Sequence, residues 1–341
     1  MQDYLFYCGK DNGSLSQELL LKLGEYLGEA LRYEFIDFGI WRDSCPNDRI
    51  IKHEQIKGKN IVFFDSLLNK EDLYDCLSLS WAFKHQYAAK RLIAVNPFNL
   101  LRRCDHEEKK WEMQYLRQYM SFLAHAGVDD LIVCTPHSEA FENYAKEYGI
   151  NFHPAYMDFS QDLKTIVPRD AKIVFYSPDE GSIARAIAHA RKMKDSIVMF
   201  DLKRRKHNNQ TEIIELNADE ISILVDAYRQ KFNFNELHHV QESLFQNANI
   251  IMIDDEMASG GTANNTAHKL KNLGAKAVYF AFTHPVCVNG WKYTLFYLNP
   301  FDRIISGNTI PRGETDRTGG KIVDVSVAQV LASVLYQIIQ T

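Results

Sequence analysis

Two adjacent carboxylates, Asp254 and Asp255, follow the apolar run Ile250-Ile251-Met252-Ile253. Glu256 and Met257 lead from them into the small-residue stretch Ala258-Ser259-Gly260-Gly261-Thr262. Glycines let a backbone approach an anion closely, and hydroxyls and the first N–H groups of a helix donate to it. Carboxylates repel a phosphate, so the acidic pair suits ribose hydroxyls, or a Mg²⁺ that bridges to phosphate. The pattern points to a sugar phosphate, with its phosphate in the glycine turn and its diol on the acids. The blander reading, acids that only cap a helix, leaves two glycines and one carboxylate unexplained.

Four further stretches carry groups that could do chemistry, each beside a plainer role. Asp179, in Ser177-Pro178-Asp179-Glu180-Gly181-Ser182, is a metal or ribose contact, or a helix-start acid. Lys203, Arg204, Arg205 and Lys206 follow Asp201 on a polar excursion. Such a charge run is ordinarily a solvated face, but at a strand end it could neutralise a moving polyphosphate. His137, after Thr135-Pro136, is a structural histidine or a metal and proton group. Arg102 and Arg103, in the stretch from Asn96 to Asp105, could hold a triphosphate or stack on a base, or lie on a surface loop. Phe35-Ile36-Asp37 by itself reads as core plus one polar residue.

These groups need rigid elements behind them, and the apolar patterning supplies a series. Strands are expected at Tyr4–Cys8, Tyr33–Ile40, Ile61–Phe64, Leu92–Val95 and Leu131–Cys134 in the first half. Helices are expected over 14–31, 70–86, 111–126 and 138–148, with Ser14 and Gln17 suited to a capping box. The stretch 149–168, with Pro154 and Pro168 and weak periodicity, reads as a domain junction. Strands follow at Ile173–Tyr176, Ile197–Phe200, Ile250–Ile253, Ala277–Phe282 and Arg303–Ile305, with helices over 181–194 and 263–273. A closing helix over 326–340 has Val327, Val330, Leu331, Val334, Leu335 and Ile338 as its apolar face and Ser326 as N-cap. Alternating strand and helix predicts an α/β fold of two duplicated units, each a mainly parallel sheet with helices on both faces. The domains are placed at 1–155 and 156–341.

Two domains also suit the 341-residue length. A formal charge of −5 with no long basic run argues against a dedicated nucleic-acid or membrane surface. The six cysteines are scattered without a C-x-x-C pair and read as reduced thiols. No apolar run reaches membrane-spanning length and the N-terminus lacks a signal pattern, so a cytoplasmic location is expected.

Taken in order, the stretches resemble the ribose-phosphate diphosphokinase (phosphoribosyl diphosphate synthetase) family, of the type I phosphoribosyltransferase fold, from about Tyr4 to the closing helix. The 250–262 loop resembles the family's ribose-5-phosphate loop, with Asp254, Asp255, Ala258, Ser259, Gly260, Gly261 and Thr262 at its binding positions. Asp201-Leu202-Lys203-Arg204-Arg205 is similar to its catalytic D-K-R-R loop with one inserted leucine. Ser177-Pro178-Asp179-x-Gly181 matches the S-P-D-x-G turn whose Asp contacts metal, and His137 holds the place of the D-L-H histidine. Asn96-Pro97-Phe98 through Arg102, Arg103 and Asp105 resembles the ATP-holding P-Y-x-x-x-A-R-Q-D segment. Phe35-x-Asp37 resembles the adenine-contacting F-x-D-G-E strand, Thr283-His284-Pro285 follows the ribose loop as in the family, and Asn308-Thr309-Ile310-Pro311 matches a late D-T-I-P turn.

The resemblance implies transfer of the β,γ-diphosphoryl group of Mg-ATP to the C1 hydroxyl of a 5-phosphorylated ribose, releasing AMP. It assigns catalysis to Lys203, Arg205 and His137, the metal to His137 and Asp179, and ATP to Phe35, Asp37, Arg102, Arg103 and Asp105. It places ATP in the first domain and the sugar phosphate in the second, with the closing helix packing back on the first. A homo-oligomer, dimer or hexamer, is expected. The chain departs from the family where Ala258 replaces the third loop acid and Ser259 its threonine, and where Gly39, Cys104, His106, Glu107 and Thr135 replace a glutamate, a glutamine, two basic residues and an aspartate. Three readings fit: a divergent enzyme on ribose 5-phosphate; the same chemistry on ADP-ribose, as in phage enzymes of NAD⁺ rebuilding that resemble this family; or a regulatory relative that only binds. A plain phosphoribosyltransferase would share the 250–262 loop but not need the first domain or Lys203 and Arg205.

Overall fold

The computed structural model describes residues 3–10, 13–43, 45–105, 111–168, 170–201, 203–205, 211–213, 217–298, 300–310, 312–313, 315 and 318–341. The chain divides into two compact units. Unit 1 takes Met1–Met157, Asn308–Pro311 and Ser326–Thr341, and unit 2 takes Asp158–Gly307 and Arg312–Val325.

Unit 1 runs through β1 (Tyr4–Cys8), α1 (Gly13–Leu27), the short pair β2 (Ile36–Asp37) and β3 (Arg49–Ile50), then β4 (Asn60–Phe64), α2 (Lys70–Trp81), β5 (Arg91–Asn96), α3 (Tyr115–His125), β6 (Asp130–Cys134), α4 (Ala140–Glu147) and β7 (Asn151–Ala155). The main sheet has the order β1-β4-β5-β6-β7 with every pair parallel. Both of its faces are buried, which is why its strands read as continuous apolar runs. Phe6, Val62, Ile93 and Ile132 pack with Leu15, Leu19 and Leu23 of α1 and with Leu331 and Leu335 of the closing helix, Ala328–Gln340. The alternate residues Tyr7, Ile61, Phe63, Leu92 and Leu131 pack with Leu79, Met120 and Phe141 of α2, α3 and α4.

Unit 2 contains α5 (Ser160–Ile166), β8 (Ile173–Ser177), α6 (Ile183–Ala190), β9 (Ser196–Phe200), β10 (Lys203–Arg205), β11 (Thr211–Ile213), α7 (Ala218–Phe232), β12 (Leu237–His239), β13 (Asn249–Glu256), α8 (Gly261–Asn272), β14 (Ala277–His284), β15 (Arg303–Gly307) and β16 (Ile322–Val325). Its sheet has the order β12-β9-β8-β13-β14-β15-β16, again all parallel. One face holds Val174, Met252, Val278 and Phe280 against Ala263, Ala267 and Leu270 of α8.

Several elements differ from the sequence expectation. The strand expected over 33–40 shrinks to β2, which pairs only with β3 and leaves Phe35 and Ile40 exposed. The helix expected over 70–86 is regular only to Trp81, then winds more widely through 82–86. The third helix starts at Tyr115 rather than 111. The stretch 149–168 contains the step from unit 1 to unit 2, between Met157 and Asp158, but is regular on either side as β7 and α5; Pro154 sits in an edge strand where its missing N–H costs no ladder bond. The excursion after β9 forms the antiparallel β10–β11 pair, while residues 206–210 and Leu202 lie outside the described residues. Helix α7 and strands β12 and β16 appear where no element was foreseen. The closing helix begins at Ala328, and Ser326 Oγ accepts its backbone N–H at 3.2 Å.

Candidate active site

In unit 2 the strand order reverses direction between β8 and β13. The chain steps from β8 outward to β9, but from β13 the opposite way to β14. Right-handed crossovers then send α6 and α8 to opposite faces, opening a crevice at the carboxyl ends of β8 and β13. The turns from Ser177 to Ser182 and from Glu256 to Gly261 border that crevice.

The second turn is held from below by its own backbone. Met257 N–H donates to the His284 carbonyl at 3.0 Å. Cys287 N–H donates to the Met257 carbonyl at 3.0 Å, and Val288 N–H to that of Ala258 at 3.2 Å. Met257 is buried beneath, so Ala258 and Ser259 stay at the surface. Gly260 caps α8 with φ 75°, and a Cβ there would meet Leu295 Cδ2 at 3.0 Å. Glycine is thus required twice, for the left-handed backbone and for the close approach. Ser259 Oγ accepts from Gly261 N–H at 3.3 Å, and Thr262, the second residue of the helix, is exposed. Small side chains thus lead directly into a helix start, a geometry that an anion can approach closely.

The acidic pair has a partner that sequence reasoning missed. Arg185, in the first turn of α6, places Nη2 3.2 Å from Asp254 Oδ1 and Nη1 2.9 Å from Asp255 Oδ1. Asp254 Oδ1 also accepts from Asp255 N–H at 2.9 Å. Asp255 is buried, with a side chain 4 % exposed, whereas that of Asp254 is 45 % exposed. Burial of the strand end pushes the Asp254 carboxyl above the usual carboxylate range; Arg185 pulls it down, and Asp255 pushes it up again. The one signal of Arg185 in the sequence is its isolation, a single cation in Ile183-Ala184-Arg185-Ala186-Ile187-Ala188.

Asp179 is exposed in the other turn, where its Oδ1 accepts from Ser182 N–H at 3.1 Å. The Ser177 hydroxyl donates to its carbonyl at 2.7 Å and so closes the turn. Asp201, at the end of β9, accepts from the Tyr176 hydroxyl at 3.3 Å. Lys203 and Arg205 lie on β10, paired in backbone register with Ile213 and Thr211.

The nucleotide residues expected in unit 1 sit in two places. Arg102, Arg103 and Asp105 follow β5 on a segment that Leu67 N–H ties to the Phe98 carbonyl at 2.9 Å. Arg102 is buried with its guanidinium 4.6 Å over the Phe98 ring, Arg103 is exposed, and the Asp105 carbonyl accepts from the Tyr144 hydroxyl at 3.0 Å. His106 and Glu107 lie outside the described residues. His137 is exposed after β6, the neighbouring strand, behind Thr135, whose φ of 39° is rare for a β-branched residue. Phe35 and Asp37 lie apart, on the β2–β3 pair, where Asp37 Oδ2 is 2.6 Å from Arg49 Nη2.

Among the described residues no three His, Cys, Asp or Glu side chains converge as a metal site. The exposed carboxylate of Asp179 fits Mg²⁺ carried by phosphates, since this ion keeps several waters and takes one or two carboxylates besides. Also among the described residues, no helix is long and apolar enough to cross a membrane.

No protein-family model matches the chain. It is similar to the ribose-phosphate pyrophosphokinase of Deinococcus radiodurans, 26 % identical over 339 residues that cover 98 % of this chain and 94 % of that one. The chloroplastic ribose-phosphate pyrophosphokinase 1 of Oryza sativa subsp. japonica is 26 % identical over 343 residues, 97 % of this chain and 75 % of that one. The enzyme of that name from Synechococcus elongatus is 24 % identical, covering 97 % and 89 %. Among solved structures, the phosphoribosylpyrophosphate synthetase of Mycobacterium smegmatis matches 99 % of both chains with a TM-score of 0.74 at 20 % identity, which establishes the shared fold.

Proposed function

We propose that this chain, a divergent member of the ribose-phosphate pyrophosphokinase family over nearly its whole length, is a Mg-ATP-dependent diphosphokinase. It transfers the β,γ-diphosphoryl group of ATP to the C1 hydroxyl of a 5-phosphorylated ribose and releases AMP. The observation that carries this reading is the crevice between β8 and β13. It brings a glycine turn at a helix start beside two carboxylates, groups that suit a phosphate and hydroxyl donors respectively.

In this reading the Ser259–Thr262 turn binds the 5-phosphate, and Asp254 and Asp255 accept hydrogen bonds from the ribose hydroxyls. That orientation presents the C1 oxygen for in-line attack on the β-phosphorus, which is where positioning contributes most to such a transfer. Arg102, Arg103 and Asp105, with Phe35 and Asp37, bind the nucleotide. Asp179 and His137 each offer a donor to nucleotide-borne Mg²⁺, which when bound neutralises phosphate charge. Lys203 and Arg205 stabilise the charge on the moving diphosphoryl group. The protein works as a homo-oligomer on small-molecule substrates.

A larger acceptor, ADP-ribose, carries the same 5-phosphorylated ribose with a free C1 hydroxyl. Ala258 and Ser259 support it as a second reading. They bring neither bulk nor charge to the surface side of the turn, where a substituted phosphate would continue. The test is incubation with Mg-ATP and either acceptor, followed by measurement of AMP and of the diphosphorylated product. AMP with ribose 5-phosphate supports the first reading, and AMP with ADP-ribose alone supports the second. No AMP with either removes the diphosphokinase reading. The Lys203→Ala variant is expected to form no AMP while keeping its fold by circular dichroism; full turnover would remove that residue from the mechanism.

A further inference from the structure

We propose that Arg185 is the positioning residue of the acceptor crevice and the source of its preference for a vicinal diol. The inference rests on the ribose-phosphate reading above and adds a residue and a selectivity to it. Arg185 reaches from α6 to the end of β13, so it links the two elements that diverge at the crevice. Its two terminal nitrogens engage one oxygen of each carboxylate, Oδ1 in both cases, at 3.2 and 2.9 Å. A planar fork held at two points fixes the rotation of both carboxylates together, which an ammonium could not do. Asp254 stays open to solvent while Asp255 does not, so the clamp presents one open and one recessed acceptor, at different depths, to two neighbouring hydroxyls. A single hydroxyl would need only one of them.

Stability alone does not account for the residue. The side chain is 25 % exposed, and its Nε is buried without a hydrogen-bond partner. An unpaired buried N–H is unfavourable, and an apolar chain at this point of an otherwise apolar helix turn would avoid it. The helix behind it is tied down by hydrogen bonds. His189 donates from Nδ1 to the Arg185 carbonyl at 2.8 Å and accepts the Phe159 N–H on Nε2 at 3.2 Å, and burial pushes its pKa down. Arg185 is therefore presented from a fixed backbone to a fixed strand end, the arrangement that positioning requires.

The experiment measures, by calorimetry on the full chain, the Kd of ribose 5-phosphate, of 2-deoxyribose 5-phosphate and of Mg-ATP. Wild type is expected to bind the ribose compound at least ~10-fold more tightly than its 2-deoxy analogue, since a site built to pair a hydroxyl rejects the ligand that lacks it. In Arg185→Gln the ratio is expected to fall to about threefold or less, with Mg-ATP affinity unchanged, and Arg185→Lys to fall between. An unchanged ratio in both variants overturns the proposal while AMP formation by wild type keeps the functional reading. Equal weakening of all three ligands also overturns it, as the mark of a merely structural role. A wild type that binds neither sugar and forms no AMP removes the functional reading and the proposal with it.

Discussion

Gly260 shows how much one residue of the turn before α8 is constrained. Its φ of 75° is a region that an L side chain enters at a cost, and the Cβ position lies 3.0 Å from Leu295 Cδ2. Gly260→Ala is expected to lower stability by about 1–2 kcal/mol and to raise KM for the sugar phosphate without changing KM for ATP. Urea unfolding and steady-state kinetics check both, and an unperturbed variant would mean that the turn relaxes without its glycine. The carboxylates and small residues of this loop were legible in the sequence because nine contiguous residues carry them, Asp254 to Thr262. Arg185 was not, because its meaning depends on acids 69 and 70 positions away, brought to it only by the pairing of β8 with β13.

Unit 1 has its own ionic anchor among its strands, away from the ligand ends. Asp130 opens β6 with a fully buried carboxylate, at 2.6 Å from Arg91 Nε on β5 and 3.0 Å from His153 Nε2 on β7. Burial alone would raise its pKa, but the hydrogen bonds from His153 and Arg91 win and hold it down to about 2. A folded-state value below the unfolded one contributes stability above the unfolded pKa and loses it as pH falls through the folded one. The window here runs from about 4 down to about 2. Asp130→Asn is expected to cost about 2–4 kcal/mol at neutral pH, because Arg91 and His153 lose their charged partner, and to flatten that acid limb. Chemical denaturation at several pH values checks it, and an unchanged acid limb would assign the loss to another group. The fully buried strands were legible as apolar runs for the same packing reason. Helix α7 was not: its apolar residues lie around the helix, with Ile223 exposed and Val225 buried, so no single stripe emerges. Its start was marked nevertheless, by the capping box between Asn217 and Glu220. Strand β12 has only three residues, Leu237 to His239, too short for a period to show.

Across the whole chain, the candidate site residues fall into two sets with different chemistry. Unit 2 carries, at its strand reversal, a crevice bordered by the acidic pair and the glycine turn. Unit 1 carries the arginines after β5 and the histidine after β6, at neighbouring strand ends. Both sets were singled out in the sequence because they follow apolar strand runs, and strand ends are where α/β folds place their ligands. The return of residues 308–311 to unit 1 was not foreseen, and that of the closing helix was expected from the family resemblance alone, since chain return is a property of packing and not of local pattern. The central claim, a β,γ-diphosphoryl transfer, is tested most directly by following the label from ATP carrying ³²P at the β position, with Mg²⁺ and ribose 5-phosphate or ADP-ribose. The account predicts one AMP formed per label transferred, with the β-phosphorus covalently on the acceptor sugar. Label found only in ADP, or in free diphosphate with no labelled sugar, would contradict it.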